Sequence, residues 1–445
     1  MHDTANAAAS LDIVCKLAET SASPLWETPI LVVPKTIRWA IVLAATGFGA
    51  AAPGYSQDSG GSLGIPDAIA SGRPVIELRP RYNRLDEGDY SETGEGGTMR
   101  TVLGWVTAPY YGFRVRLEAI NTSHIGAKQF NDDPAQIASS PYPLLPDPVY
   151  TGVNQAYAEY SDDDAGVHVK LGRQVVRLDN QRWVSDNDFR QIPQLFEGAW
   201  ASWDGLEKTE FEAGYYTKVR NTSGVTNDLR LTTLHAAWNP WEGHSIAAYA
   251  VLHDQAANGA FTGFADNSNR VIGAKAVGAA HLEGIDIPYL AEYAEQRPYA
   301  NGDSRVDANY WRLGAGAAAE RWTVRYDYEV KGSNNGQYGV QMPLTDFYRY
   351  NGWTLSFFTT PRQGLRDQWL TVRWQFLDPL TFYGEAHKFR SDFGGLDFGR
   401  ENDVGLTWSI MGGLEARLQY ARYDPGPGTT NDAIRKTWLT LTYTY

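Results

Sequence analysis

YGFRVRLEAI, residues 111–120, alternates apolar and polar side chains without interruption. Tyr111, Phe113, Val115, Leu117 and Ala119 share one face, while Gly112, Arg114, Arg116 and Glu118 take the other. A period of two sends successive side chains to opposite faces of a strand. The same pattern recurs at 321–329, where Trp322, Val324, Tyr326 and Tyr328 oppose Arg321, Thr323, Arg325, Asp327 and Glu329. It returns at 414–420, with Glu415, Arg417 and Gln419 on the polar face. A soluble antiparallel sheet can alternate in this way, with water outside and a core inside. Two features favour the opposite sense, with apolar side chains out and polar side chains in. Rings flank the apolar faces, as at Trp238 and Trp241 or Tyr289 and Tyr293, which suits the aromatic girdles of a membrane barrel. The segments also run to about ten residues, against roughly five to six for ordinary strands.

About eighteen such segments follow one another, one or two fewer than the nineteen candidate starts near residues 73, 97, 111, 153, 166, 197, 208, 229, 243, 268, 285, 307, 321, 353, 366, 380, 401, 413 and 434. An even number is expected of a single-chain bacterial barrel. Asn239-Pro240, Asp378-Pro379 and Met411-Gly412-Gly413 read as short turns on the periplasmic side. Longer gaps near 121–152, 179–196, 255–268, 331–352, 390–400 and 424–433 read as outer loops or in-folded plugs. In the last segment Thr437, Leu439, Leu441, Tyr443 and Tyr445 share a face. Alternating apolar residues before a closing aromatic resemble the recognition strand read by the barrel assembly machinery. The expected fold is therefore all-β: a single antiparallel transmembrane β-barrel of about eighteen strands with in-folded loops, integral to the outer membrane of a Gram-negative bacterium.

Composition agrees. The chain holds 26 Tyr and 15 Trp, yet its mean hydropathy is only -0.40. Apart from residues 30–52 no apolar run reaches the roughly 20 residues a spanning helix needs. A closed barrel spans a bilayer without one, because its polar residues turn inward. Lys35 and Arg38 precede Trp39-Ala-Ile-Val-Leu-Ala-Ala and a small-residue tract to Ala52, the order of parts in a secretory signal peptide. Pro53 blocks cleavage directly after Ala52, so Gly54 or Ser56 is the expected exit. Residues 1–56 are thus expected to be an upstream extension plus signal peptide, 57–72 a short periplasmic lead, and 73–445 the barrel. Cys15, the only cysteine, falls in the removed part, so the mature chain has no disulfide or thiol chemistry. Removing three basic and four acidic residues from 39 and 52 leaves 36 and 48, a mature charge of about -12. That balance disfavours nucleic acid as a partner.

No GxSxG, HExxH, P-loop or CxxC motif occurs, and the eight histidines show no i,i+4 pairing. Neither a catalytic site, a metal site nor a cofactor is expected. Glu385 and His387 share a strand face with Tyr383; a hydrolytic pair could be built so, but a polar row lining a lumen is the simpler reading. The arginines say more. Arg79, Arg81, Arg100, Arg114 and Arg116 lie on the polar faces of the first three strands. As a lumen wall they would favour anions, and the planar guanidinium pairs bidentately with carboxylates. The competing reading pairs each with a neighbour such as Glu77 or Glu118, so that it merely stiffens the wall.

One further stretch fits neither a hydrophobic core nor an ordinary loop: GRQVVRLDNQRWVSDNDFRQIPQ at 172–194, with four arginines and four glutamines. GRQ at 172–174, LDNQRW at 178–183 and FRQIPQLFEGAW at 189–200 resemble the alginate export porin family. So do DP at 147–148, NQAYAEY at 154–160, PLTDFYRYNGW at 343–353, GLRDQWL at 364–370 and HKFRSD at 387–392. The resemblance runs from about Arg73 to Tyr445. It implies an eighteen-stranded outer-membrane barrel with an arginine-lined constriction that passes an acidic polysaccharide outward. It further implies that Arg173, Gln174, Asp179, Asn180, Arg182, Arg190 and Gln191 form or support the constriction. Tyr348-Arg349 departs from the His-Lys more usual there. Passage of an alginate-like polyuronate is the leading expectation; uptake of small acidic or aromatic solutes on the same barrel is the alternative.

Overall fold

The computed structural model describes residues 64–133, 140–255 and 268–445. The signal-like segment 1–56 and Cys15 lie outside the described residues, as do parts of the gaps expected near 121–152 and 255–268. Of the lead at 57–72, residues 64–72 are described and carry helix α1 (Ile65–Ala70). The helix is tied to the barrel by the Trp105 indole, which donates to the Ile69 carbonyl at 2.9 Å, and by Ala108 N–H to the Ala68 carbonyl at 2.9 Å.

Eighteen strands follow. The first half comprises β1 (Arg73–Glu87), β2 (Gly94–Val106), β3 (Phe113–Gln129), β4 (Tyr150–Asp162), β5 (Val167–Gln174), β6 (Leu195–Leu206), β7 (Thr209–Arg220), β8 (Thr226–Trp238) and β9 (Ser245–Asp254). The second comprises β10 (Asn269–Leu282), β11 (Ile285–Pro298), β12 (Ala308–Ala319), β13 (Trp322–Lys331), β14 (Leu365–Leu377), β15 (Leu380–Arg390), β16 (Asp397–Met411), β17 (Leu414–Pro425) and β18 (Ile434–Thr444). Each strand pairs antiparallel with the next, and β1 also pairs with β18 from Glu77↔Thr444 to Glu87↔Ile434. Closure leaves no unpaired edge to satisfy in lipid.

The faces fall as the alternation requires. Phe113, Val115 and Leu117 are 51–59% exposed on the outside, whereas Glu118 is buried inside. Trp203, Trp238, Trp322, Trp374 and Trp408 stand outward close to the short turns; they mark an interfacial girdle at the rim that faces the periplasm in such barrels. The tight turn at Glu283-Gly284 needs two left-handed residues, at φ 45° and 84°, as a two-residue hairpin of matching twist demands.

One expected segment is not a strand. The run near 353 belongs to a connection, 332–364, that folds into the lumen. Asn351, Gly352 and Leu355 have φ of 59°, 84° and 62°, which breaks any extended course. Its rings bury against the inner wall instead of facing lipid. Trp353 packs with Phe189, Tyr348, Ala421 and Trp438, and Phe357 with Phe389, Phe398 and Tyr423. The second in-folded connection is 175–194. Val176, Leu178, Trp183 and Val184 join Val340, Met342 and Leu344 on an apolar inner wall that includes Tyr216, Leu231, Tyr249 and Val251. An apolar inner wall is the sheet's provision for seating these loops.

Candidate functional site

The two in-folded loops are hydrogen-bonded into one body. Ser185 N–H donates to the Leu344 carbonyl at 2.8 Å and Asp346 N–H to the Gln181 carbonyl at 3.1 Å. Asn187 gives its Nδ2 to the Thr345 carbonyl at 2.6 Å and accepts the Phe347 N–H at 3.0 Å. Left-handed turns at Asp179, Gln181 and Asn187 let a short polar segment fold back so tightly.

The body is anchored to the wall at two places. At the first, Arg182 forks onto Glu329, Nε to Oε1 at 2.8 Å and Nη2 to Oε2 at 2.6 Å. Thr345 accepts from Nη1 at 3.3 Å and Asn351 from Nη2 at 2.9 Å, the Tyr350 ring lies 4.4 Å away, and the residue is 1% exposed. Beside it Asn180 donates to Glu292 at 3.2 Å and accepts the Arg182 N–H, and Asp179 pairs with Lys275. At the second, Asp188 accepts Arg100 Nη1 at 2.6 Å and Arg79 Nη2 at 3.0 Å. Glu77 bridges the same two guanidiniums at 3.0 and 3.1 Å. Burial pushes the Asp188 carboxyl up, but Arg79, Arg100 and Arg177 outweigh it and hold it well below the usual carboxylate range. Gln191 completes this anchor, with Nε2 on the Arg79 carbonyl at 3.1 Å and on Thr98 at 2.9 Å.

On the short-turn side of the loops lies a cavity of about 240 Å³. Arg79, Arg81, Arg177, Arg349 and Arg417 line it, against the acids Asp186, Asp188 and Glu415, so cations predominate. Thr440, Thr442 and Thr444 of β18 supply hydroxyls. A second cavity, of about 10 Å³ and bordered by Arg182 and Lys331, lies at the other loop.

The expected residues thus divide. Arg79, Arg81 and Arg100 stand on the inner face of β1 and β2 as anticipated. Among the described residues Arg81 has no carboxylate within ion-pair distance; its Nε donates to Thr440 at 3.0 Å and its guanidinium lies 4.4 Å over Phe189. Arg190 likewise has no acid partner among the described residues and stands 5.0 Å over Tyr348. Arg114 and Arg116 face inward but meet Glu159 at 3.4 Å and Glu118 at 2.5 Å, so pairing with neighbours describes them best. Gln174 is buried and donates to the Gly198 carbonyl at 3.2 Å, a supporting contact. Arg173 is a correction: it continues the outward series of Val169 and Leu171 and pairs with Glu197 across the strands. Alternation along β5 sends it outside, and it does not join the other arginines. Sequence reading missed Arg177 and Arg349 as cavity residues. Arg177 is held by Asp186, at 3.0 Å from Nε and 2.6 Å from Nη2, a partner nine residues on that no strand period reveals.

A closed eighteen-stranded barrel, girdled by outward rings and narrowed by in-folded polar loops, defines an outer-membrane channel. The chain belongs to the alginate export family, whose model, described as "Alginate export", matches residues 112–394. No curated protein matches the sequence. Solved structures share the fold at low identity. Pseudomonas aeruginosa OccK9 (OpdG) is 16% identical with a TM-score of 0.67, covering 85% of this chain and 99% of that one. Pseudomonas aeruginosa OccK2 (OpdF), solved in complex with glucuronate, is 12% identical with a TM-score of 0.63, covering 84% and 98%. Pseudomonas aeruginosa OpdK, solved with vanillate, is 14% identical with a TM-score of 0.65, covering 85% and 99%.

Proposed function

We propose that this channel passively passes an anionic saccharide, an alginate-like polyuronate, outward through its arginine-lined section, with no chemistry on the solute. One observation supports the reading: five guanidiniums line one cavity against three carboxylates, and Arg81 there lacks an acid partner among the described residues. Guanidiniums so placed present forked donors to successive uronate carboxylates. Arg81, in that cavity, and Arg190, over Tyr348, are its solute-facing members, while Arg79 is held by Asp188 and Glu77. Arg100, Asp179, Asn180, Arg182, Gln174 and Gln191 hold the loops that shape it. Removal of residues 1–56, a periplasmic position for 57–72 and insertion through the assembly machinery belong to the same proposal. Planar-bilayer recording tests it. An anion-favouring current that added oligouronate attenuates is expected, and strong cation selectivity would sink it.

A second reading, uptake of small acidic or aromatic solutes, is favoured by the likeness to barrels solved with glucuronate and with vanillate. Liposome swelling separates the two, since rapid swelling in small neutral sugars supports general uptake.

A further inference from the structure

We propose that Glu385, His387 and Asp403 form a binding site for one divalent transition-metal cation with the preferences of Zn²⁺. The site lies in the barrel wall behind the in-folded connection 332–364. Glu385 and His387 are two apart on β15, and Asp403 faces them from β16, where Glu385↔Asp403 are register partners. Donor atoms of the three lie within 4.8 Å of one another. His387 Nε2 stands 3.5 Å from Glu385 Oε2 and 4.0 Å from Asp403 Oδ2. Ligand atoms around a tetrahedral Zn²⁺ with bonds of about 2.1 Å stand about 3.4 Å apart, so small side-chain shifts bring the three donors to bonding distance and leave the fourth position for a water.

Two further observations point to a ligand. His387 is 5% exposed and Asp403 is 0% exposed, yet His387 Nε2 and Asp403 Oδ1 have no hydrogen-bond partner. A buried polar atom without a partner is costly unless something unseen satisfies it. The other imidazole nitrogen is already committed: Nδ1 meets both oxygens of Asp367 at 3.0 and 3.1 Å. Carboxylate behind one imidazole nitrogen and metal before the other is the usual support of a metal-bound histidine. The ring is held flat between Trp369 and Phe389, with centroids 5.6 and 5.4 Å away.

Charge argues the same way. Asp367, Glu385, Glu401 and Asp403 surround the single His387. Lys331 faces Asp367, and Lys436 faces Glu401 and Asp403, so the four carboxylates still outnumber the lysines; the hydrogen bonds to them come mainly from neutral donors. Tyr383 and Thr371 donate to Glu385, Thr354 to Glu401, Asn351 to Asp367, and the Trp353 N–H to Asp403. A divalent cation would balance this set, and a nitrogen in the donor trio favours Zn²⁺ over Ca²⁺ or Mg²⁺. Because Trp353 is bonded to Asp403, such an ion would also fasten the seat of the 332–364 connection.

The test uses the full barrel in detergent after dialysis against EDTA, with Zn²⁺ as the probe and heat-modifiable gel migration as the check on folding. Calorimetric titration is expected to give one Zn²⁺ per folded barrel and a raised unfolding temperature. His387→Gln, Asp403→Asn and, should either misfold, Glu385→Gln should each weaken binding by about tenfold or more. Asp367→Asn, which leaves the donor trio intact, should weaken it about 10- to 100-fold. His281→Gln, at an exposed strand end, should leave it unchanged. A folded wild-type barrel that takes up no stoichiometric Zn²⁺, or variants that bind it as tightly, would overturn the proposal.

Discussion

Arg182 and Arg81 both project into the lumen and are both buried, but their surroundings assign them opposite tasks. Arg182 sits where 175–194 meets β13; Glu329, Thr345 and Asn351 together accept from all its side-chain nitrogens. Arg81 sits where the same loop's tip meets β1 and β18, with one hydrogen bond, to Thr440, and an open cavity beside it. A guanidinium that is forked onto a buried carboxylate is an anchor; one whose fork is unfilled is available to a solute. Buried position alone therefore does not mark an arginine as part of the pathway.

The most severe way to break the contrast is Arg182→Ala. Leaving Glu329 buried and unpaired should cost about 3–5 kcal/mol, read as a fall in the heat-modifiability midpoint. Replacing both partners, as Arg182→Met with Glu329→Leu, should recover much of that stability. Asp188→Asn comes next. It removes the charged acceptor shared by Arg79 and Arg100, with an expected loss of about 1.5–3 kcal/mol. It should also make the channel more anion-selective, because Arg79 and Arg100 are then left with Glu77 as their one shared carboxylate.

Acid titration sharpens the same point. The Asp188 carboxyl is depressed in the folded chain, so its contribution is fully present above the unfolded carboxylate value of about 3.9 and is lost as pH falls through the lower folded value. The loop tip should therefore keep its proteolytic protection at pH 4 and lose it only in stronger acid; release already at pH 5 would contradict the anchor. The smallest effect belongs to Arg173→Ala, on the outer face, where a half-buried pair with Glu197 contributes about 1 kcal/mol or less. Stability and selectivity should both stay near wild type.

The fold was legible because alternation is a local property. Residues 111–120, 321–329 and 414–420 each announce which face is wet, and repetition along the chain implies closure. Loop placement was less legible. The run from about Trp353 reads as a strand for lipid, but left-handed residues at Asn351, Gly352 and Leu355 turn it into the lumen. Partnerships were least legible of all. Glu329 lies 147 residues from Arg182, and Asp188 lies 88 from Arg100; only barrel closure and loop insertion bring them together. The same holds for Asp403, whose meeting with His387 depends on strand register and not on spacing along the chain.

The central claim is that Arg81 in the short-turn cavity and Arg190 over Tyr348, both without an acid partner among the described residues, select anions. Reversal potentials across a KCl gradient, recorded in planar bilayers, test it most directly for the wild-type channel and for Arg81→Ala combined with Arg190→Ala. Chloride preference in the wild type, clearly reduced in the double variant while heat-modifiable migration is retained, is the result expected. Potassium preference in the wild type, or a reversal potential that the double variant leaves unmoved, would contradict it.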